Sequence, residues 1–234
     1  MSDRAGAPTG MASAGPAAVV FDLDGVLLDS EQRWNEAKAA LVRDAGGTWR
    51  EEAPTVMMGM SSPEWAAYLR DELGVGMGLD EISRDVVRRM EDGYRRQLPL
   101  LPGAEEAAQA LAGRWPLGLA SSSNREIIDL VLELAPFGDA FAVTVSSEEV
   151  RRGKPAPDVY LEAARGLGVE PSRCVAVEDS GNGLRAAAAA RMAVIAVPNP
   201  HYPPPADALS LAAATVATVG EVTPELVEQA GSGR

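Results

Sequence analysis

Five short apolar runs punctuate the chain, at residues 17–21, 117–120, 141–145, 174–177 and 193–197, and stretches of helical periodicity separate them. Runs of this length, rich in Val, Ala, Leu and Ile, read as strands buried on both faces. Their alternation with helices predicts an α/β fold with a doubly wound parallel sheet. Four of the five end in polar residues: Asp22 and Asp24, Ser121 to Asn124, Ser146 and Ser147, and Glu178 with Asp179. Pro198 stops the fifth. In open α/β sheets ligands bind beyond the carboxyl ends of the strands, so the candidate chemistry collects at one edge.

Between the first strand and residue 98 the character changes. Residues 31–98 hold three helical patterns and no strand pattern. Ser62, Pro63 and Glu64 read as an N-cap, a first-turn proline and a first-turn acid. Trp65, Ala66, Leu69 and Leu73 then recur at helical spacing until Gly74. A helical insertion directly after the first strand predicts an all-helical lid over the strand ends, with residues 98–103 as the return hinge. The expected division is an unstructured tail at 1–16, a core at 17–30 and 99–234, and the lid at 31–98. The alanine run 186–190 reads as a closely packed helix.

Composition narrows the chemistry. The chain has 234 residues, one Cys (Cys174) and one His (His201), which excludes a disulfide framework, a multi-cysteine zinc site and a His-cluster metal site. A net charge of −13 disfavours nucleic acid as a partner. No apolar stretch approaches the ~18 residues of a membrane span, and residues 1–16 lack the apolar run of a signal peptide. A soluble, cytoplasmic monomer is expected. His201, in a proline-rich loop, reads as a rim residue, and Asp29 as a hinge residue.

What remains is carboxylates, hydroxyls, lysines and a hard metal. Asp22 and Asp24 stand two apart in extended chain and face one space. So close a pair repels unless a cation lies between them or one is protonated. That suits phosphoryl transfer, with one carboxylate attacking phosphorus and the other moving a proton. A solvated turn is the alternative reading of the pair alone.

The wider context decides between them. DLDGVLLDSE at 22–31, Ser121 after the second strand, GKPAPDVY at 153–160 and VEDSGNG at 177–183 together resemble the haloacid dehalogenase superfamily. The lid resembles the helical cap of its subfamily I, in the branch of sugar phosphatases and β-phosphoglucomutase-like proteins. The resemblance implies Asp22 as the nucleophile that becomes phosphoaspartate. It implies Asp24 as general acid/base, with its main-chain carbonyl on Mg²⁺. Ser121, helped by the N–H of Ser122, would hold the phosphoryl group, though Ser121 also reads as a helix-cap serine, with Asn124 as another cap. Lys154 would neutralise the nucleophile and phosphoryl oxygens. Asp179 would ligate Mg²⁺, and Glu178 either touches the metal or supports the residues that do. Gly25, Ser122, Asn124 and Trp34 complete the expected substrate contacts.

Within the family, Asp24 argues against the dehalogenase and phosphonate-cleaving branches, and Lys38 is the only lysine of the lid. Trp34 stands where the mutase pattern has a hinge histidine, and the segment Gly59-Met60-Ser61-Ser62 lacks the mutase arginine. Trp34 is similar to the residue of some sugar-phosphate phosphatases, or packs the lid core. Met57, Met58 and Met60 line an adaptable pocket or the lid's interior. The resemblance implies a Mg²⁺-dependent phosphatase acting on a small phosphorylated metabolite, a sugar or polyol phosphate. A phosphosugar mutase and a non-catalytic phosphate sensor are the alternatives; Asp22, Asp24, Lys154 and Asp179, all intact, argue against the sensor. Finally, Arg191 follows the alanine helix where the family often has glycine, and should cost up to about 1 kcal/mol there or shift the helix end.

Overall fold

The chain folds around six parallel strands, β1 (Ala18–Phe21), β2 (Leu117–Ser121), β3 (Phe141–Ser146), β4 (Cys174–Glu178), β5 (Ala193–Ala196) and β6 (Ala214–Thr215), in a computed structural model that describes residues 15–57, 60, 62–200 and 202–233. The spatial order is β3-β2-β1-β4-β5-β6. After β1 the chain builds outward through β2 and β3, then returns to the other side of β1 for β4. This reversal at β1 and β4 opens a crevice at the carboxyl ends of the strands.

The described residues form ten α-helices: α1 (Glu31–Asp44), α2 (Ala53–Met57), α3 (Ser62–Asp71), α4 (Leu79–Arg96), α5 (Ala104–Ala112), α6 (Arg125–Leu134), α7 (Asp158–Leu167), α8 (Gly181–Ala189), α9 (Ala206–Leu209) and α10 (Pro224–Ser232). The two-residue period of a strand sends alternate side chains to opposite faces. Val19 and Phe21 join Val175, Val177 and Ile195 in one core, beneath α5, α6 and α10. Ala18 and Val20 join Ala176, Val194 and Ala196 in the other, beneath α7 and α8. All of these strand residues are buried, which is why the strands read as uninterrupted apolar runs.

The expected doubly wound architecture is present, with differences in detail. The strand β6 was not expected; it has two residues and a mixed Ala-Thr sequence that carries no periodic signal. The described residues of 31–98 form four helices rather than three, because the five-residue α2 is too short to show a period. Ser62 is the first residue of α3, not its cap. Leu73 lies two residues beyond α3 yet is buried, and Gly74 turns the chain in a left-handed conformation, φ +79°. Residues 1–14 of the expected tail, with Met58, Gly59, Ser61 and His201, lie outside the described residues. Pro16 does not belong to a tail, for its carbonyl accepts a 3.0 Å hydrogen bond from Trp115 Nε1.

In the insertion, α4 packs on α1, α3 and α6. The two connections run side by side. Leu28 and Leu100 form an antiparallel bridge, Asp29 donates its N–H to the Pro99 carbonyl at 2.8 Å, and Leu101 donates to the Leu27 carbonyl at 2.9 Å. Arg191 adopts φ +66° after α8, the left-handed conformation that glycine would take more cheaply.

Candidate active site

The crevice is lined by residues that were far apart in the sequence. β1 delivers Asp22, whose N–H bonds the Val177 carbonyl of β4 at 2.9 Å and whose carboxylate is buried. The ammonium of Lys154, itself buried, lies 2.7 Å from Asp22 Oδ1 and 2.6 Å from Glu178 Oε1. Tyr160, in the first turn of α7, donates its hydroxyl to the same Glu178 oxygen at 2.8 Å. The other, Oε2, accepts from the N–H of Asp179 and from the N–H and hydroxyl of Ser180. Both oxygens of this fully buried carboxylate are thus occupied. The approach to Glu178 also explains Gly183, where a Cβ would fall 1.7 Å from Oε1.

Asp22, Glu178 and Asp179 bring oxygens within 4.8 Å of one another. Burial pushes the Asp22 carboxyl up to about 7, Lys154 opposes the rise and Glu178 adds to it. Asp179 is raised well above the usual carboxylate range by burial, then by Glu178 and Asp22. Burial opposes the charge on Lys154, but Asp22 and Glu178 outweigh it and hold the ammonium protonated. An all-oxygen, buried, incompletely neutralised cluster fits a hard divalent cation.

Asp24 is half-buried and faces the same cavity. Ser30 Oγ and Trp34 Nε1 (3.3 Å) donate to its Oδ1, and Ser123 Oγ donates to Oδ2 at 2.5 Å. Trp34 therefore holds a chemical group besides packing against Trp65, ring centroids 6.4 Å apart. Gly25 takes φ +78°, and a Cβ there would meet Asp179 Oδ2 at 1.9 Å; the position is needed for the close approach of the two strand ends.

Ser122 and Asn124 line the cavity. Ser121 ends β2 fully buried, is not among the lining residues, and its Oγ accepts from the Ser123 N–H at 3.0 Å. Asn124 stands before α6 without capping it through its side chain; Glu148 accepts there instead, from Asn124 Nδ2 at 2.6 Å and the Arg125 N–H at 3.1 Å. Asn124 Oδ1 accepts from Ser62 Oγ of α3 at 3.1 Å, which ties the insertion to the strand end. Met57 and Met60 reach the cavity from the insertion, as do Glu31, Trp65 and Lys38. The cavity measures about 370 Å³, near the small end of ligand sites, which run roughly 300–1,000 Å³.

Sequence reading did not single out Ser30, Ser123, Tyr160 or Glu31 as site residues. All four lie within or beside the motifs, as Tyr160 does in GKPAPDVY and Glu31 in DLDGVLLDSE, but nothing in the pattern shows what each side chain reaches.

Residues 16–191 match the family described as haloacid dehalogenase-like hydrolase. The chain belongs to that family. It is 37% identical over 190 residues to hexitol phosphatase B of Escherichia coli (strain K12), covering 79% of this chain and 84% of that one. It is 35% identical over 189 residues to a probable pseudouridine-5'-phosphatase of Drosophila melanogaster, covering 78% and 81%. The structure of CbbY from Rhodobacter sphaeroides in complex with phosphate superposes with a TM-score of 0.78 at 26% identity, covering 88% of this chain and 96% of that one. Among the described residues no helix is long and apolar enough to cross a membrane.

Proposed function

We propose that this hydrolase is a Mg²⁺-dependent phosphatase that cleaves a small phosphomonoester, a sugar or polyol phosphate, through a phosphoaspartate on Asp22. The observation that carries the reading is the ammonium of Lys154 held between Asp22 and Glu178 beside Asp179, at the floor of a cavity that Asp24 also faces. The relatives named as phosphatases of hexitols and of pseudouridine 5'-phosphate support the substrate class.

Asp22 and Asp179, with the main-chain carbonyl of Asp24, would hold the metal, and Glu178, its two oxygens already occupied, would fix Lys154 and the Asp179 loop. Bound Mg²⁺ supplies charge neutralisation for the nucleophile and the phosphoryl oxygens. Asp22 attacks phosphorus, the bond from phosphorus to the ester oxygen breaks, and Asp24 gives that oxygen its proton. Water then attacks phosphorus as Asp24 takes a proton back, which releases phosphate and restores Asp22. Lys154 and the Ser122 N–H would stabilise the charge on the equatorial oxygens, while Ser121, buried behind the cavity wall and accepting from the Ser123 N–H, would hold the loop that carries Ser122 rather than touch the phosphoryl group as expected. Residues 31–98 act as a cap on the core formed by 17–30 and 99–234. Water as the acceptor is supported by Trp34, which stands where the mutase pattern has histidine and donates its N–H to Asp24.

Phosphate release from a panel of phosphomonoesters, with Mg²⁺ and with chelator, tests this. Release that needs the metal and falls at least 10³-fold in Asp22→Asn is expected. Unimpaired release by Asp22→Asn would overturn the mechanism; interconversion of hexose phosphates without net release would turn the reading to a mutase.

A further inference from the structure

The cavity holds a cation that the chemistry above does not use. Lys38, on α1, is 7% exposed, and its Nζ lies 5.6 Å from the Trp34 ring centroid and 5.2 Å from that of Trp65. Among the described residues it closes no ion pair and no hydrogen bond. The other cations of the cavity wall are committed: Lys154 to Asp22 and Glu178, and Arg185 to Asp207 at 2.6 Å and the Gly181 carbonyl at 3.2 Å. Taking an ammonium out of water is costly, and two indole faces repay only part of that cost. A Met or Leu would fill the place between the rings without that cost. The lysine is therefore explained by something that enters the cavity.

The surrounding charges say what that is. Glu31 lines the same cavity seven residues earlier on α1, two turns back and so on the same helix face. Asp24 lies on the strand side, and the two carboxylates are the charges that act on Lys38. A second phosphate or a carboxylate on the substrate would be attracted by Lys38 and repelled by both Glu31 and Asp24. A hydroxyl meets no such conflict, because it accepts from the ammonium and donates to a carboxylate at once. Trp34 and Trp65 add flat apolar faces suited to the C–H side of a carbon chain.

We propose that Lys38 and Glu31 form a subsite that reads the hydroxyls of an uncharged polyol chain attached to the phosphate, Lys38 donating and Glu31 accepting. This rests on the phosphatase reading and names the part of the substrate beyond the reacting group. It selects neutral, hydroxyl-rich phosphomonoesters over bisphosphates.

The test compares wild type, Lys38→Met and Lys38→Gln on sorbitol 6-phosphate, fructose 1,6-bisphosphate and an aryl phosphate that has no hydroxyls to read. In Lys38→Met, kcat/KM for sorbitol 6-phosphate should fall at least tenfold relative to that for the aryl phosphate, chiefly through KM. Lys38→Gln, which keeps a neutral donor, should recover part of the ratio. The aryl phosphate reports that each variant has folded. An unchanged ratio, or a loss confined to the bisphosphate, would overturn the subsite while the phosphatase stands. A wild type that releases phosphate from none of the three would overturn both.

Discussion

A Cβ at position 25 would fall 1.9 Å from Oδ2 of Asp179. The turn after β1 and the loop after β4 therefore pack backbone against carboxylate, with no room for a side chain. Gly25 also needs φ +78°, which costs an L-residue about 1 kcal/mol or more. Gly25→Ala should destabilise the protein by about 1–3 kcal/mol and displace Asp179. The Mg²⁺ concentration for half-maximal activity should rise about tenfold or more. A Mg²⁺ titration of activity checks this, and an unchanged midpoint would refute it.

Asp24 is oriented by three donors, and one of them is the indole of Trp34 at 3.3 Å. Trp34→Phe keeps the ring and removes the N–H. Losing one hydrogen bond of about 0.5–1.5 kcal/mol should lower kcat about threefold to tenfold. Steady-state kinetics on an aryl phosphate isolates this from lost sugar contacts. A change in KM alone would make Trp34 a packing residue.

In the metal-free protein, burial first and Glu178 second raise Asp22 to about 7, against the pull of Lys154. Between the ordinary carboxylate value near 4 and 7, the folded chain keeps a proton that the unfolded chain has lost. Stability must then fall as pH rises through that window, by up to about 1.4 kcal/mol per pH unit for this group. Thermal melts in chelator should show the decline, and Asp22→Asn should reduce it. Equal slopes for wild type and variant would contradict the assignment.

Arg191 is exposed and holds φ +66° at the end of α8. Arg191→Gly should stabilise by about 1 kcal/mol, a rise in Tm of about 2–4 °C for a chain of this size, with kcat/KM unchanged. A melt and one activity assay suffice. A lower Tm would mean that the arginine side chain stabilises more than its backbone costs.

Four of the five long strands, β1, β2, β4 and β5, were legible because each is buried on both faces and so reads as an apolar run, whereas the partly exposed β3 was legible from its β-branched and aromatic residues. Two Ala-Thr residues at β6 and five residues at α2 are too few to carry a period, and tertiary packing alone places them. In the site, Asp22 and Asp24 were legible from strand alternation, and Lys154 and Asp179 from their motifs. Their partners were not. Ser123 reaches Asp24 across 99 positions, Ser62 reaches Asn124 across 62, and Lys38 finds its second ring at Trp65. A glance at Lys38 as one charge among several on a helix gives no sign that it is buried, since burial there depends on how α3 lies over α1.

The paired connections at Leu28 and Leu100 have a consequence for how such a molecule can change over evolution. Residues facing each other across an antiparallel bridge sit about 5 Å apart, so everything between Leu28 and Leu100 departs and returns at one point. A shorter or longer segment could be exchanged at that doorway without altering the register of any strand. The carboxylates of Asp22, Asp24 and Asp179 would keep their places at the strand ends, while Glu31, Lys38 and Trp65, all on the exchanged side, would be replaced together. With Lys38 and Glu31 reading the substrate as proposed, its preference would be inherited as a block, separately from the chemistry it serves.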